Sequence, residues 1–241
     1  MTRTPNLKER IEENRKLITK MLSGISTHKR LETLNWIPRA LLEETQVLFQ
    51  YPSYMPPEEF DDGLDNTSLA NLAPTWKYIV KSQKNKVMDN HEIRNIHRML
   101  TRDTTIPGGV YRQSDAYIEQ LKIHAPNYQI LLQRLDDIQY YLTDERIPVL
   151  TRAFNMHYDL IALQPFEDFN KRTARYCMNS FLIKHGYRPI VFNAPSDKFD
   201  YMQALRERAR GNTKAYSHYM YMCMIRTQEK LIKLLKKSKS M

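Results

Sequence analysis

A short run in the second half of the chain combines one carboxylate with three cations at the start of an expected helix. Asp168 and Asn170 are followed within about one turn by Lys171, Arg172 and Arg175. A helix start carries partial positive charge and N–H groups without intrahelical partners, so it favours acidic side chains. Three cations there fit a bound anion, because phosphate accepts hydrogen bonds from guanidinium and free N–H groups together. A phosphate-binding turn is therefore one of two interpretations of this run.

Asp168 has two interpretations at this point. It caps the helix by accepting a hydrogen bond from a first-turn N–H group, or it holds a Mg²⁺ ion that bridges phosphates. If Asp168 is a cap, the basic residues pair with surface carboxylates instead of a phosphate. The spacing alone does not distinguish the two interpretations. The turn itself is positioned by helices predicted over 145–163 and 170–184, with Pro165 ending the first of them.

The whole run from Gln164 to Arg175 resembles the signature of the Fic/Doc family, His-Pro-Phe-x-Asp/Glu-Gly/Ala-Asn-Gly/Lys-Arg-x-x-Arg. Two positions depart from it: Gln164 stands where the family has histidine, and Phe169 where it has glycine or alanine. Members typically transfer AMP from ATP to a hydroxyl group of a target protein. The positions that fit are Pro165, Phe166, Asp168, Asn170, Lys171, Arg172 and Arg175.

The resemblance implies ATP and Mg²⁺ as cofactors and a role for each matching residue. Asp168 would hold Mg²⁺, and Asn170 with the neighbouring amides of Phe169 and Lys171 would form the anion hole. Arg172 would grip the phosphates and Arg175 would support them. The protein partner that receives the group is not identified by the sequence.

The two departures predict impaired catalysis. The family histidine is a general base, and such catalysis contributes roughly 10²–10⁴-fold, whereas the carboxamide of Gln164 has no useful basicity near neutral pH. Phe169 is expected to crowd a turn that phosphate approaches closely. Glu167, solvent or, less favoured, His157 two turns before Gln164 are the alternative bases.

Three further segments are similar to parts of the family. Gly109, Val110, Tyr111 and Arg112 match a Pro-Gly-x-Tyr-Arg segment, which predicts a β-hairpin flap near residues 106–118 that aligns the target by strand addition. Tyr201 is a candidate for the nucleotide pocket. The inhibitory helix that many members carry has its nearest candidate at 66–71, where Ala70 replaces the inhibitory glutamate.

Composition and periodicity indicate a mainly α fold. The chain has 241 residues, with 41% hydrophobic residues and only 6 glycines. We expect a Fic-type helical bundle divided into an N-terminal helical extension (1–60), a Fic-like domain (61–225) and a helix end with a basic tail (226–241). Predicted helices cover 6–23, 29–50, 66–82, 89–102, 126–142, 145–163, 170–184, a segment after 196, and 213–236. His91 and His97 are interpreted as solvent or core-edge residues rather than metal ligands.

The net charge of +10 suits acidic partners, yet no nucleic-acid motif accompanies it. Without a secretory signal or a membrane span, and with two isolated cysteines, a cytoplasmic, reducing location is expected, and export by another route stays open. The sequence leaves the oligomeric state open. It also leaves three functions open: a nucleotide-binding protein with weak AMP transfer, an inactive binding scaffold, and, least favoured, a DNA-binding regulator.

Overall fold

The computed structural model describes residues 6–26, 36–37, 39–41, 70–84, 88–194 and 196–239. Within them, helices dominate and one small antiparallel sheet occurs. The elements are α1 (Leu7–Ser23), α2 (Leu72–Ser82), α3 (Asn90–Leu100), β1 (Tyr117–Ile118), β2 (Ile123–His124), a 3₁₀ turn (Tyr128–Ile130), α4 (Leu131–Thr143), α5 (Val149–Leu163), α6 (Asn170–Lys184), α7 (Asp197–Ala209) and α8 (Thr213–Lys239). The predicted mainly α class is confirmed.

Helix α6 lies at the centre of the bundle and is buried on nearly every side. It packs along α5 and also contacts α2 and α3. Its buried residues include apolar ones such as Met178 and Phe181, and also Arg172, Arg175 and Lys184. Other helices cover α6 on nearly every side. A site at the N-terminus of α6 would therefore be enclosed by these neighbours.

Helix α1 packs along α8 and is a surface helix with one apolar face. Asn6 caps it with a complete capping box, accepting from the Glu9 N–H at 3.0 Å while the Glu9 carboxylate accepts from the Asn6 N–H at 2.8 Å. Its last turns meet α8 in a small apolar cluster, whose buried members are Ile18, Met21, Leu22, Leu231, Ile232 and Leu235.

The short hairpin is present, but it lies later in the chain than predicted. Tyr117 pairs with His124 and Ile118 with Ile123, whereas the segment 106–116 forms turns and irregular structure. The prediction was displaced because two glycines followed by alternating residues were interpreted as strand. Gly109 instead has a φ of +73° in a turn where a Cβ atom would meet the Arg94 carbonyl oxygen at 2.8 Å.

The predicted domain boundaries remain predictions. Helix α8 runs without interruption through residue 226, and Ile11 of α1 belongs to the same apolar core as α5 and α6. The linker 51–63, most of the helix predicted over 29–50, and residues 66–69 of the inhibitory candidate lie outside the described residues. None of the described helices is both long and apolar enough to cross a membrane.

Candidate active site

The loop between α5 and α6 is bracketed by two residues in the left-handed conformation. Gln164 ends α5 with a φ of +46°, and Phe169 precedes α6 with a φ of +59°. Such angles disfavour residues other than glycine by roughly 1–2 kcal/mol, because the Cβ atom approaches the carbonyl oxygen. The loop therefore reverses the chain direction sharply and places the first turn of α6 beside the end of α5.

The buried side chain of Asn170 closes this loop with three hydrogen bonds. Its Oδ1 accepts from the Phe166 N–H at 2.9 Å, and its Nδ2 donates to the Phe166 carbonyl at 2.8 Å and to Gln164 Oε1 at 2.9 Å. The carboxamide thereby shapes the backbone of the predicted anion hole rather than pointing into it.

Gln164, at the position where the resemblance places a general base, is folded back onto the loop. Its Nε2 donates to the Ile161 carbonyl at 3.0 Å, while its Oε1 accepts from Asn170. Both ends of the carboxamide are therefore engaged within the protein. Glu167, an alternative base, is exposed.

The Phe169 side chain packs against the first turn of α6. The ring is buried, and the Arg172 guanidinium carbon lies 3.6 Å from its centroid. Arg172 is 4% exposed and Arg175 1% exposed, so both arginines are buried in the first turns of α6. Lys171 is half-buried at the start of the same turn. The cations predicted from the sequence thus share one helix end, with an aromatic face covering part of Arg172.

Asp168 does not cap α6. The cap position is Phe169, which makes no side-chain capping bond, and the Asp168 carboxylate instead accepts a hydrogen bond from the N–H of Phe169, the next residue. The carboxylate is partly exposed. Among the residues described, no group of three or more His, Cys, Asp or Glu side chains forms a metal cage. One partly exposed carboxylate beside the predicted phosphate site would suit Mg²⁺, which is commonly held by one or two carboxylates together with phosphates.

Arg112 fastens the flap segment to the loop. Its Nε donates to the Gln164 carbonyl at 2.7 Å, one terminal nitrogen donates to the Leu163 carbonyl at 3.2 Å, and its backbone N–H donates to the Pro165 carbonyl at 3.0 Å. The carbonyls at a helix C-terminus carry partial negative charge, which favours a cation there. In the same segment Val110 is exposed, while the Tyr111 ring packs on Phe166 with centroids 5.4 Å apart.

The family comparison agrees with this geometry: residues 87–182 match the model of the Fic/DOC family. Residues 87–182 are a Fic/DOC domain. The chain is 26% identical over 168 residues to Protein adenylyltransferase Fic of Nematostella vectensis, a match that covers 68% of this chain and 39% of that protein. It is 27% identical over 172 residues to Protein adenylyltransferase Fic of Aedes aegypti, covering 68% of this chain and 33% of that protein. The chain thus spans well under half the length of these relatives.

Solved structures of Fic proteins share the fold. A Fic domain containing signaling protein from Bacteroides thetaiotaomicron gives a TM-score of 0.72 at 17% identity, covering 93% of this chain and 97% of that one. Fic-1 of C. elegans (residues 134–508) gives 0.69 at 17% identity, covering 96% of this chain and 74% of that one. At these identities the likeness concerns the fold.

His157, inside the matched Fic/DOC segment, and Tyr201, beyond its end, form a buried network rather than part of the loop. Tyr216 donates its hydroxyl hydrogen to the Phe154 carbonyl at 3.0 Å, so His157 Nδ1 donates to the Tyr216 oxygen at 2.7 Å. His157 Nε2 then accepts from the Tyr201 hydroxyl at 2.9 Å. Burial, assisted by the charge of Arg175, lowers the pKa of His157 to about 3. Both nitrogens are occupied, which leaves His157 unsuited to act as a substitute base.

His97 is the residue that the sequence interpretation missed. His91 is exposed as expected, but His97 is completely buried, and its ring stacks on Phe166 with centroids 3.8 Å apart. Burial lowers its pKa to about 4, a hydrogen bond to Asp168 opposes that shift, and the charge of Arg172 adds to it. A signal was available, because His97 shares the apolar face of α3 with Ile93, Ile96 and Leu100.

Proposed function

We propose that the loop 164–169 and the first turn of α6 bind ATP with Mg²⁺, and that the protein resembles AMP transferases without their efficient catalysis. The observation that carries this proposal is the hydrogen bond between Gln164 and Asn170. It joins the position of the missing base to the centre of the loop, while the buried arginines of α6 remain beside it. The relatives named protein adenylyltransferase support the choice of nucleotide and of a protein target.

Each residue has a role in this proposal. Arg172 and Arg175 bind the phosphates, since guanidinium groups in a water-poor site are strong partners for phosphate oxygens. Asp168 holds the Mg²⁺ ion, which would neutralise phosphate charge when bound. Asn170 and Gln164 hold the shape of the loop rather than transferring a proton.

The target protein would bind along the flap. Val110 and Tyr117 expose 49% and 48% of their surface on the segment that Arg112 anchors to the loop. Exposed backbone and apolar side chains suit an extended peptide that adds to a strand edge with little sequence requirement. The strands are only two residues long, so such a peptide would extend the sheet along the turns that precede it.

Calorimetry with ATP, with and without Mg²⁺, tests nucleotide binding, and incubation with α-³²P-ATP tests transfer. We expect the wild type to bind ATP without labelling protein. Gln164→His should bind with similar affinity and transfer label, gaining at least the roughly 10²-fold that a general base provides. Gln203→His, an exposed glutamine on α7, is the matched control and should transfer nothing.

The second candidate function is a binding scaffold without nucleotide, and the aromatic cover of Arg172 by Phe169 favours it. Its signature would be no ATP binding by either the wild type or Gln164→His. Phe169→Ala then distinguishes a blocked nucleotide site from no nucleotide site. If Phe169→Ala binds ATP, the ring is the obstacle, and if it does not, the nucleotide site is rejected. Label transferred by the wild type as fast as by Gln164→His would instead reject impaired catalysis.

A further inference from the structure

His97 is hydrogen-bonded to two parts of the site that are far apart in sequence. Its Nδ1 accepts from the Gly109 N–H of the flap segment at 2.8 Å. Its Nε2 lies 3.2 Å from the Asp168 carbonyl of the loop. The imidazole is therefore the direct link between the flap and the residue proposed to hold Mg²⁺.

The geometry fixes which nitrogen carries the proton. A backbone N–H can only donate, so Nδ1 must be the acceptor, and a carbonyl can only accept, so Nε2 must carry the hydrogen. His97 is thus neutral with its hydrogen on Nε2, and exchanging the two roles would break both contacts. Stacking on Phe166, at an interplanar angle of 9°, fixes the plane of the ring.

The flap end of this link is held from a second point on the same helix. The Arg94 Nε donates to the Gly109 carbonyl at 2.7 Å, so α3 binds both polar groups of Gly109. The Arg94 guanidinium also lies 5.3 Å from the centroid of the Tyr111 ring. Because Arg94 also holds Gly109, loss of the His97 contact should loosen the segment around Gly109 only in part.

We propose that His97 is a positioning residue that orients Asp168 for the cation and aligns the flap with the loop. The proposal rests on the function proposed above, since it assigns His97 a part in binding Mg²⁺ and nucleotide. Outer contacts of this kind orient the groups that hold a metal, and their loss typically lowers metal affinity by about 10–100-fold. His97 touches neither nucleotide nor target in this arrangement, so it acts through Asp168 and Gly109.

Two amide substitutions separate the two contacts. In His97→Asn the shorter side chain places its oxygen near the position of Nδ1, so it keeps the acceptor for Gly109 and loses the donor to Asp168. In His97→Gln the longer side chain places its nitrogen near Nε2, so it keeps the donor to Asp168. His91→Asn, on the exposed face of the same helix, is the matched control.

The first measurement is hydrogen–deuterium exchange of the full chain without nucleotide. His97→Asn should speed exchange in the loop 164–170, and His97→Gln in the segment 107–112, while His91→Asn changes neither. Equal changes in both segments for both variants would show a merely structural role and overturn the proposal. If neither variant folds, the ¹⁵N spectrum of wild-type His97 decides, because a hydrogen on Nδ1 would contradict the proposed contacts.

The second measurement is the ATP dissociation constant with Mg²⁺ and with EDTA. His97→Asn should lose about tenfold or more of the affinity gained from Mg²⁺, and His97→Gln should stay near the wild type. Equal Mg²⁺ dependence in His97→Asn and the wild type would overturn the proposal. A wild type that binds no ATP would instead reject the proposed function, and the exchange pattern would still decide whether His97 links the flap to the loop.

Discussion

Helices α6 and α1 are of similar length but are stabilised in different ways. Of the 15 residues of α6, 13 are buried, and several of these are charged or polar. Of the 17 residues of α1, only Ile11, Ile18, Met21 and Leu22 are buried, and all are apolar. Apolar packing tolerates many partners, whereas each buried polar group needs a partner at a defined position. The environment of α6 is therefore the more specific of the two, and substitutions should expose that difference.

The largest effect is expected where a charge at the end of α6 is buried. Lys184 Nζ lies 3.1 Å from Glu92 Oε1, with 1% and 11% of the side chains exposed. Lys184→Met leaves the Glu92 carboxylate buried without this partner and should lower the free energy of unfolding by about 3–5 kcal/mol. Urea denaturation measures the loss.

Two further variants test whether burial causes that loss. Glu92→Gln combined with Lys184→Met should recover much of it, because no uncompensated charge remains. Arg134→Met removes an ion pair with Asp137 whose side chains are 54% and 59% exposed, and should cost less than about 1 kcal/mol. Similar losses for Arg134→Met and Lys184→Met would contradict the contrast between buried and exposed charge.

On α1 the largest expected effect comes from an apolar residue. Ile18 is completely buried in the cluster with Leu231 and Leu235, so Ile18→Ala should lower the free energy of unfolding by about 2–5 kcal/mol. Its neighbour Leu17 is 41% exposed, and Leu17→Ala should change stability by about 0.5 kcal/mol or less. Equal effects of the two substitutions would mean that α1 does not bury the face described here.

The buried His157 of α5 predicts that the free energy of unfolding depends on pH. Its folded pKa of about 3 lies below the ordinary value of 6.5, so the unfolded chain binds more protons between those limits. Stability should therefore fall as pH falls from about 6.5, by at most about 1.4 kcal/mol per pH unit for this group. His97 contributes in the same direction.

Denaturation at several pH values between 4 and 7 measures this slope. His157→Gln should reduce this slope by the contribution of one proton taken up on unfolding. The control His91→Gln replaces an exposed histidine and should leave the slope unchanged. An unchanged slope in His157→Gln would show that the unfolded and folded states bind the same number of protons at this residue.

A smaller effect than that of Ile18→Ala is expected at the start of α1. Asn6→Ala removes the side-chain oxygen that accepts from the Glu9 N–H, and should cost about 1 kcal/mol. Asn6→Asp keeps the acceptor and should stay close to the wild type. Thermal unfolding of the wild type, Asn6→Ala and Asn6→Asp measures the difference. If Asn6→Ala lost more stability than Ile18→Ala, the helix cap would contribute more than the apolar core, against this prediction.

Local signals predicted most of the elements. The apolar spacing of 6–23 and 145–163 and the position of Pro165 led to helices whose observed bounds differ by a few residues. The hairpin was displaced, because the conformation of the segment 106–116 depends on Arg112 and Gly109 contacting other elements. A contact between distant residues leaves no periodicity in the sequence.

The sequence by itself determined the helical class, the resemblance to the Fic family, and the departures at Gln164 and Phe169, because these depend on residue types and on spacing along one segment. Only the tertiary structure decided that Asp168 is not a cap, that both nitrogens of His157 are occupied, and that His97 joins the flap to the loop. Burial and hydrogen-bond partners decide what a polar side chain can do, and both are set by residues far away in the chain.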